Sequence, residues 1–229
     1  MTGFDVSAPL FAIASRFVTD GALYYLHGVH IEPHPAARGV LLVATDGHRL
    51  LCAHDGTGRA DRPAIIQLDR LQLAIAADEA RPGYTSRRLY GTYGPGDRAN
   101  THVEIVDYSD DGQRLVVGAG SHVEIDGDFP DWSRRISREP VSTPALADFN
   151  GDYLADFAAA GAAYREAFGL CKGADAMTVA AADPDGPAIV RWAGIESMFG
   201  VLMPRSRASK GPVGLPGFFM AAYGPDTSA

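Results

Sequence analysis

The stretch VLLVATDGHRLLCAH, residues 40–54, constrains the fold most, because it places an Asp-Gly pair between two apolar runs. Glycine accepts a positive φ, so Asp-Gly in this position is the strongest short signal for a tight β-hairpin. Strands joined by a short turn are antiparallel, whereas parallel strands need a long crossover. The segment therefore favours an antiparallel sheet over a parallel one.

Short helical patterns alternate with groups of strand patterns along the chain. Apolar residues at helical spacing predict helices over 8–19, 67–80 and 147–161. Their predicted apolar faces are Leu10, Ile13, Ala14 and Phe17, then Leu68, Leu71 and Ile75, and finally Leu154, Phe157, Ala158 and Gly161. Strands are predicted over 22–32, 40–45, 48–54, 101–126 (three strands), 176–194 and 198–206, with a long loop, holding at most one short strand, over 80–100. This order indicates an α+β architecture of repeated helix-plus-antiparallel-sheet units.

Composition excludes several classes of protein. A formal charge of −8 argues against bulk electrostatic coating of nucleic acid, although a local basic surface is compatible with it. Two cysteines, Cys52 and Cys171, provide neither a disulfide framework nor a cysteine zinc site. No apolar run approaches the roughly 20 residues of a membrane span, and the N-terminus lacks a signal-peptide pattern. We expect a soluble cytoplasmic protein with no membrane contact.

Five histidines between residues 27 and 54 make a metal site or an acid–base catalytic site alternative interpretations of this region. The segment HGVHIEPH contains His27, His30 and His34, and His48 and His54 follow. On a strand, positions 27 and 30 point to opposite faces, and no metalloprotease spacing is present. Asp46 with His48 lacks a recognisable nucleophile, and Asp-Gly is already explained as a turn. We therefore predict no catalytic residue, no metal and no cofactor, with the histidines on a surface or rim.

Five segments resemble one family. LYYLHGVHIE and VATDGHRL are similar to the middle domain of the bacterial DNA polymerase III beta subunit, the sliding clamp. IDGDFPDWSRRI resembles the segment that leads into that family's last domain, and ADFNGDYLADFAAA and VLMPRSR resemble parts of the last domain itself. The resemblance covers about residues 5–207, in family order, and implies the DNA-clamp fold.

The resemblance also implies a shortened domain organisation. Residues 1–138 correspond to a clamp domain like the family's middle domain, and residues 139–207 to a partial domain like the second half of its last domain. Nothing in the chain resembles the family's first domain. Residues 208–229 are predicted to form a C-terminal tail, whose Leu215 and Phe218-Phe219 resemble a clamp-binding peptide.

A clamp-like protein is not an enzyme, and the resemblance implies that it binds partner peptides in an apolar pocket. The expected partners are DNA polymerase and other clamp-binding-motif proteins, and a clamp loader. The implied pocket residues are Leu26, Thr45, Gly47, His48, Arg49, Leu50, Pro130, Arg134, Val201, Met203 and Pro204.

The resemblance further implies that a homo-oligomeric ring encloses double-stranded DNA. The candidate DNA-binding residues are Arg16, Arg70 and Arg165 on the predicted helices, and Arg87 and Arg88 in the Arg-Tyr loop. Acidic neighbours make the helices only weakly basic. This leaves an alternative, a non-ring clamp-like interaction module that regulates replication by protein binding. A metal hydrolase using the histidines is a third, remote alternative.

Overall fold

The computed structural model describes residues 3–93, 101–136, 139, 141–170 and 176–205. Within these ranges, every strand pair is antiparallel, which confirms the α+β class. The elements are β1 (Gly3–Ser7), α1 (Ala8–Ala14), β2 (Val29–Pro33), β3 (Val40–Thr45), β4 (Arg49–Asp55), β5 (Arg59–Ala60), β6 (Ala64–Gln67), α2 (Arg70–Ala77), β7 (Ser86–Thr92), β8 (Thr101–Tyr108), β9 (Arg114–Ile125), α3 (Gly151–Ala167), β10 (Met177–Ala181), β11 (Ala188–Trp192) and β12 (Ile195–Leu202).

The described strands form one twelve-stranded sheet in the order β10-β11-β12-β4-β3-β2-β6-β9-β8-β7-β1-β5. Three units build it: the first runs from β1 through α1 to β4, the second from β6 through α2 to β9, and the third from α3 to β12. The first two units exchange strands, because β1 pairs with β7 and β6 pairs with β2. The third unit joins the first through pairing of β12 with β4.

Each helix begins at a side chain that caps its free N–H groups, as helix starts generally require. Asp69 and Gln72 form a reciprocal capping box at α2, with distances of 2.8 and 2.9 Å. At α3, the Asn150 side-chain oxygen accepts a hydrogen bond from the Asp152 N–H at 3.1 Å. Helix α1 packs against both α2 and α3, so the three helices form one layer.

The core lies between this helix layer and the sheet. Phe157 of α3 is buried there, 4.9 Å from Phe17 and 6.1 Å from Trp192 between ring centres. A Cβ on Gly200 would lie 2.3 Å from the Phe157 ring, so only glycine lets α3 approach β12 this closely. The predicted apolar face of the first helix is confirmed, since all four of its residues are buried.

Several local predictions are wrong. The segment 22–32 is not a single strand, because residues Tyr24–Leu26 form a 3-10 turn and β2 starts at Val29. The predicted loop over 80–100 does contain the one strand that the prediction allowed, but this strand, β7, is seven residues long and central in its half of the sheet. Residues 101–126 contain two strands instead of three. Leu71, predicted to be buried, is 70% exposed, and Ala158 is also exposed.

Candidate partner-binding surface

The hairpin between β3 and β4 is fixed by its own side chains. The Thr45 hydroxyl donates to the Arg49 carbonyl at 2.7 Å and accepts from the Gly47 N–H at 3.0 Å. The Asp46 carboxylate accepts from the N–H groups of His48 and Arg49 at 2.8 and 2.9 Å. Gly47 has φ of +90°, which glycine adopts without strain. The hairpin predicted from Asp46-Gly47 is therefore confirmed.

The end of β12 lies directly beside this hairpin. The Met203 N–H donates to the His48 carbonyl at 2.8 Å. One step into the ladder, Leu50 and Val201 are direct partners across the β4–β12 pair. Two regions that are far apart in sequence, both predicted to line one pocket, thus meet on adjacent strands.

Side chains from both strands form a small apolar cluster, which we call the outer cluster. Successive strand residues face opposite sides of a sheet, so Leu50 and Val201 belong to this cluster while Leu51 and Leu202 join the core under the helices. The buried members are Val43, Leu50, Cys52 and Val201, and the partly buried ones are Leu41, Phe129, Trp132, Ile136, Ile189 and Phe199.

The segment that follows β9 packs on the outer cluster. The Phe129 ring stacks on His30 with 4.5 Å between ring centres and 4° between planes. The Trp132 ring lies 6.5 Å from that of Phe199. Met203, which follows β12, leaves 41% of its surface exposed. The arrangement offers exposed apolar surface over a buried apolar base, which suits docking of a partner's apolar side chains.

Sequence reasoning missed most of the outer cluster. Phe129 and Trp132 belong to IDGDFPDWSRRI, and Phe199 lies two residues before VLMPRSR, but none of the three is among the predicted pocket residues. The alternation of residues along β3 and β12 was the available signal, because it places Val43, Phe199 and Val201 on one face once the strand pairing is known.

Arg49 lies on the other side of the sheet from the outer cluster. Its guanidinium donates to Asp46 at 3.0 Å and to Asp156 of α3, and packs on the rings of Phe17 and Tyr153. Only 10% of its side chain is exposed. This placement favours a role in holding α3 against the hairpin rather than direct contact with a ligand.

The remaining predicted pocket residues differ in solvent exposure, from buried to exposed. Leu26 is buried in the 3-10 turn before β2, and its backbone bonds to Leu23 and Thr19. Pro130 is exposed and Pro204 half-buried. Arg134 is exposed and paired with Asp131 at 3.2 Å. Pro130 and Arg134 are each two residues from Trp132 in the sequence, and Trp132 packs on the outer cluster.

The candidate DNA-binding arginines fall into two groups. Arg16 and Arg70 are exposed at helix ends, and Arg165 is half-buried on α3. Arg87 is buried instead, with its guanidinium 2.6 Å from Asp107, and Arg88 pairs with Asp5 at 2.8 Å and Asp55 at 2.9 Å. The expectation that these two lie in an open basic loop is wrong, because β7 places both in ion pairs.

The described residues offer little for acid–base or metal chemistry. Burial raises the pKa of the Cys52 thiol to about 12, so it stays protonated and is a poor nucleophile. Within the described ranges, no group of three or more His, Cys, Asp or Glu side chains is placed to hold a metal ion. None of the helices there is long and apolar enough to cross a membrane.

No family model matches the chain, and no curated protein matches it by sequence. Solved structures do match over 90% of it: the sliding clamp of Bartonella birtlesii at TM-score 0.59 and 18% identity, the Helicobacter pylori beta clamp at 0.57 and 11%, and the Pseudomonas aeruginosa clamp at 0.54 and 17%. The chain spans 66% of the length of the Bartonella and Pseudomonas clamps and 67% of the Helicobacter clamp. At these identities the likeness is one of fold, and the chain has the fold of a bacterial DNA polymerase III beta sliding clamp.

Proposed function

We propose that this chain is a sliding-clamp-like processivity factor that docks a polymerase peptide on the outer cluster. The supporting observation is the meeting of the β3–β4 hairpin with the end of β12, which brings Leu50 opposite Val201 and Met203 beside His48. A peptide with apolar and aromatic anchors would bury them against Met203 and the rings of Trp132 and Phe199. Such docking needs no catalytic group. Clamp-binding-motif proteins and a clamp loader are its natural partners.

In the same proposal, a homo-oligomeric ring of the chain holds double-stranded DNA against its helix layer. Arg16, Arg70 and Arg165 lie on or beside the three helices, which pack together on one side of the sheet. Residues 1–138 act as one clamp domain because the first two units exchange strands, and residues 139–207 act as a partial domain. The predicted C-terminal tail, residues 208–229, lies outside the described residues, and so do Leu215, Phe218 and Phe219, which resemble a clamp-binding peptide.

A non-ring interaction module remains the second candidate, and the helix layer favours it. The cleft between the three helices is lined by Pro9, Ala12, Ile13, Arg16, Ala77, Ala163 and Ala167, with a single charged side chain. The acidic residues Asp69 and Glu166 directly adjoin Arg70 and Arg165 in the sequence, and Asp78 follows the C-terminal end of α2. A DNA-enclosing surface needs a denser positive charge than this to hold phosphates strongly.

Two measurements test the proposal. Fluorescence anisotropy with a labelled peptide carrying a leucine and two adjacent phenylalanines reports docking, and we expect saturable binding that unlabelled peptide reverses. Retention on nicked circular DNA, lost when the DNA is linearised, reports a ring. Peptide binding without topological retention would support the interaction module, and absence of both would refute the clamp function.

A further inference from the structure

Strands β4, β9 and β12 are equivalent, because each closes the antiparallel strand group of its unit. The equivalence of β9 and β12 extends to detail. The β8–β9 and β11–β12 ladders both contain a register shift. A Cβ on Gly120 would lie 2.8 Å from the Gln72 side chain of α2, just as one on Gly200 would meet Phe157 of α3. In the second and third units, a glycine of the last strand thus lies under the helix.

Two of these equivalent strands already pair with each other within the chain. β4 and β12 run antiparallel from the pair Leu202–Arg49 to the pair Met198–Ala53, centred on Gly200 opposite Leu51. An antiparallel pair of equivalent strands has an approximate two-fold axis at its centre. The β4–β12 pair therefore shows how the last strands of two units pair with each other.

Among the described residues, the third equivalent strand has one edge without a strand partner over most of its length. Residues 114–122 of β9 pair with β8, and no other described strand pairs with them. Edge strands of soluble proteins usually carry charges, prolines or bulges that prevent further pairing. The register shift in β9 does not by itself prevent pairing, because β12 also contains one and pairs with β4. The sequence LVVGAGSHV, residues 115–123, contains no Asp, Glu, Lys, Arg or Pro. Val116 and Val123 leave 41% and 48% of their surface exposed.

We propose that β9 pairs with β9 of a second copy of this chain, so that the sheet continues across a two-fold interface. The edges of β4 and β12 are occupied by each other, so neither is available to a second copy, whereas two β9 edges are complementary to each other. With the β12 register as the guide, Gly120 lies at the two-fold axis and Ala119 lies opposite Ser121 of the second copy. The resulting pair carries six units in one row.

This inference rests on the homo-oligomer in the proposed function and names its contact surface. Peptide docking lies elsewhere, on the outer cluster between β4 and β12, so the two can fail separately. The full-length chain and the double variant A119K/S121K are compared by light scattering across a concentration series. Both positions are exposed, so the lysines are tolerated in the monomer but place like charges opposite each other in the pair.

We expect wild type to form pairs or larger even-numbered assemblies, and the double variant to associate at least about tenfold more weakly. The control A36K/A37K adds the same charge at exposed alanines of the β2–β3 loop and should associate like wild type. A wild-type monomer throughout the series, or unchanged association of A119K/S121K, would overturn the inference.

Hydrogen exchange provides a readout that needs no variant. Amides of residues 118–122 should become more protected as wild-type concentration rises, while those of β5, an end strand of the sheet that is remote from β9 in the strand order, should not. Concentration-independent exchange in β9 contradicts the pairing. A double variant that stays monomeric yet binds the labelled peptide normally supports the inference and leaves peptide docking intact. Normal association without peptide binding refutes the docking function alone.

Discussion

The guanidinium of Arg49 lies 4.7 Å from the centre of the Tyr153 ring, and this contact joins the hairpin of the first unit to the helix of the third. The same guanidinium pairs with Asp156 one turn further along α3 and with Asp46 in the hairpin. One side chain therefore connects the turn that carries His48 to the unit that carries Met203. Both walls of the proposed docking surface depend on this connection.

The first prediction concerns that connection. Arg49→Met keeps much of the apolar contact with Phe17 and Tyr153 but leaves Asp46 and Asp156 without their partner. We expect a loss of about 1–3 kcal/mol in the free energy of unfolding, measured by urea denaturation. Hydrogen exchange should locate the loss in α3 and β12. The charge-matched control Arg38→Met changes an exposed loop residue and should have little effect.

The second prediction concerns peptide docking. Met203→Ala removes an exposed apolar side chain next to the outer cluster, and we expect about a tenfold or greater rise in the dissociation constant of the labelled peptide. His48→Ala should weaken binding as well, with little change in thermal stability, because the His48 ring is exposed.

Leu71→Ala is the matched control for docking. Leu71 is also an exposed apolar residue, at 70% against 41% for Met203, but it lies on α2 in the helix layer, and its removal should leave peptide affinity unchanged. Equal effects of the Met203 and Leu71 variants would argue against a specific site at the end of β12.

The third prediction separates a structural from a DNA-binding role for Arg87. Its two hydrogen bonds to Asp107 measure 2.6 and 3.0 Å, and both side chains are buried. Burial by itself would raise the pKa of Asp107, but the hydrogen bonds from Arg87 and Arg81 hold it below its usual range. Arg87→Ala leaves the buried carboxylate of Asp107 without its ion-pair partner and should lower the free energy of unfolding by about 3–5 kcal/mol. A variant of normal stability with weakened DNA binding would show the opposite role.

The fourth prediction uses His122, which is buried against Phe4 and has no hydrogen-bond partner for either ring nitrogen among the described residues. Burial lowers its pKa from 6.5 to about 4. Since the unfolded chain takes up this proton first, the stability contribution of neutral His122 is complete above pH 6.5 and declines as pH falls towards 4. The full loss is on the order of 1–3 kcal/mol. His122→Leu should flatten this part of the pH–stability curve, and an unchanged slope would contradict the assignment.

The fifth prediction concerns the helix layer. Arg16→Gln with Arg70→Gln removes two exposed positive charges beside the helices, and DNA binding should lose about two units of salt dependence in a plot of log affinity against log salt. Arg38→Gln with Arg59→Gln removes two exposed charges on the β2–β3 loop and β5 instead. If both pairs of substitutions weaken DNA binding equally, the helix layer is not the contact surface.

The Asp46-Gly47 hairpin and the burial of Leu10 and Phe157 follow from local signals. A turn that needs positive φ and an apolar stripe each act within a few residues, so neighbouring residues are enough to reveal them. The predicted starts of the second and third helices, residues 67 and 147, come before the observed starts at Arg70 and Gly151. The resemblance of the hairpin and of VLMPRSR to clamp segments likewise indicated the fold that the solved structures match.

Long-range pairing could not be derived in this way. The central position of β7 could not be predicted because its sequence, SRRLYGT, contains two arginines, and arginine is buried only when a distant carboxylate such as Asp107 or Asp55 neutralises it. The resemblance placed Leu50 and Val201 in one pocket, but Phe129, Trp132 and Phe199 were missed because they join these residues only through the register of β12 on β4 and the packing of the segment after β9.

By itself, then, the sequence determined the antiparallel class, the three helix-plus-strand units and the turn at Asp46-Gly47, since each depends on interactions between near neighbours. Only the tertiary structure decided which strand edges meet, which arginines are buried, and that Phe129 and Trp132 lie over the sheet beside Val201. Those outcomes depend on shape, burial and charge compensation between residues far apart in the chain, which local patterns do not specify.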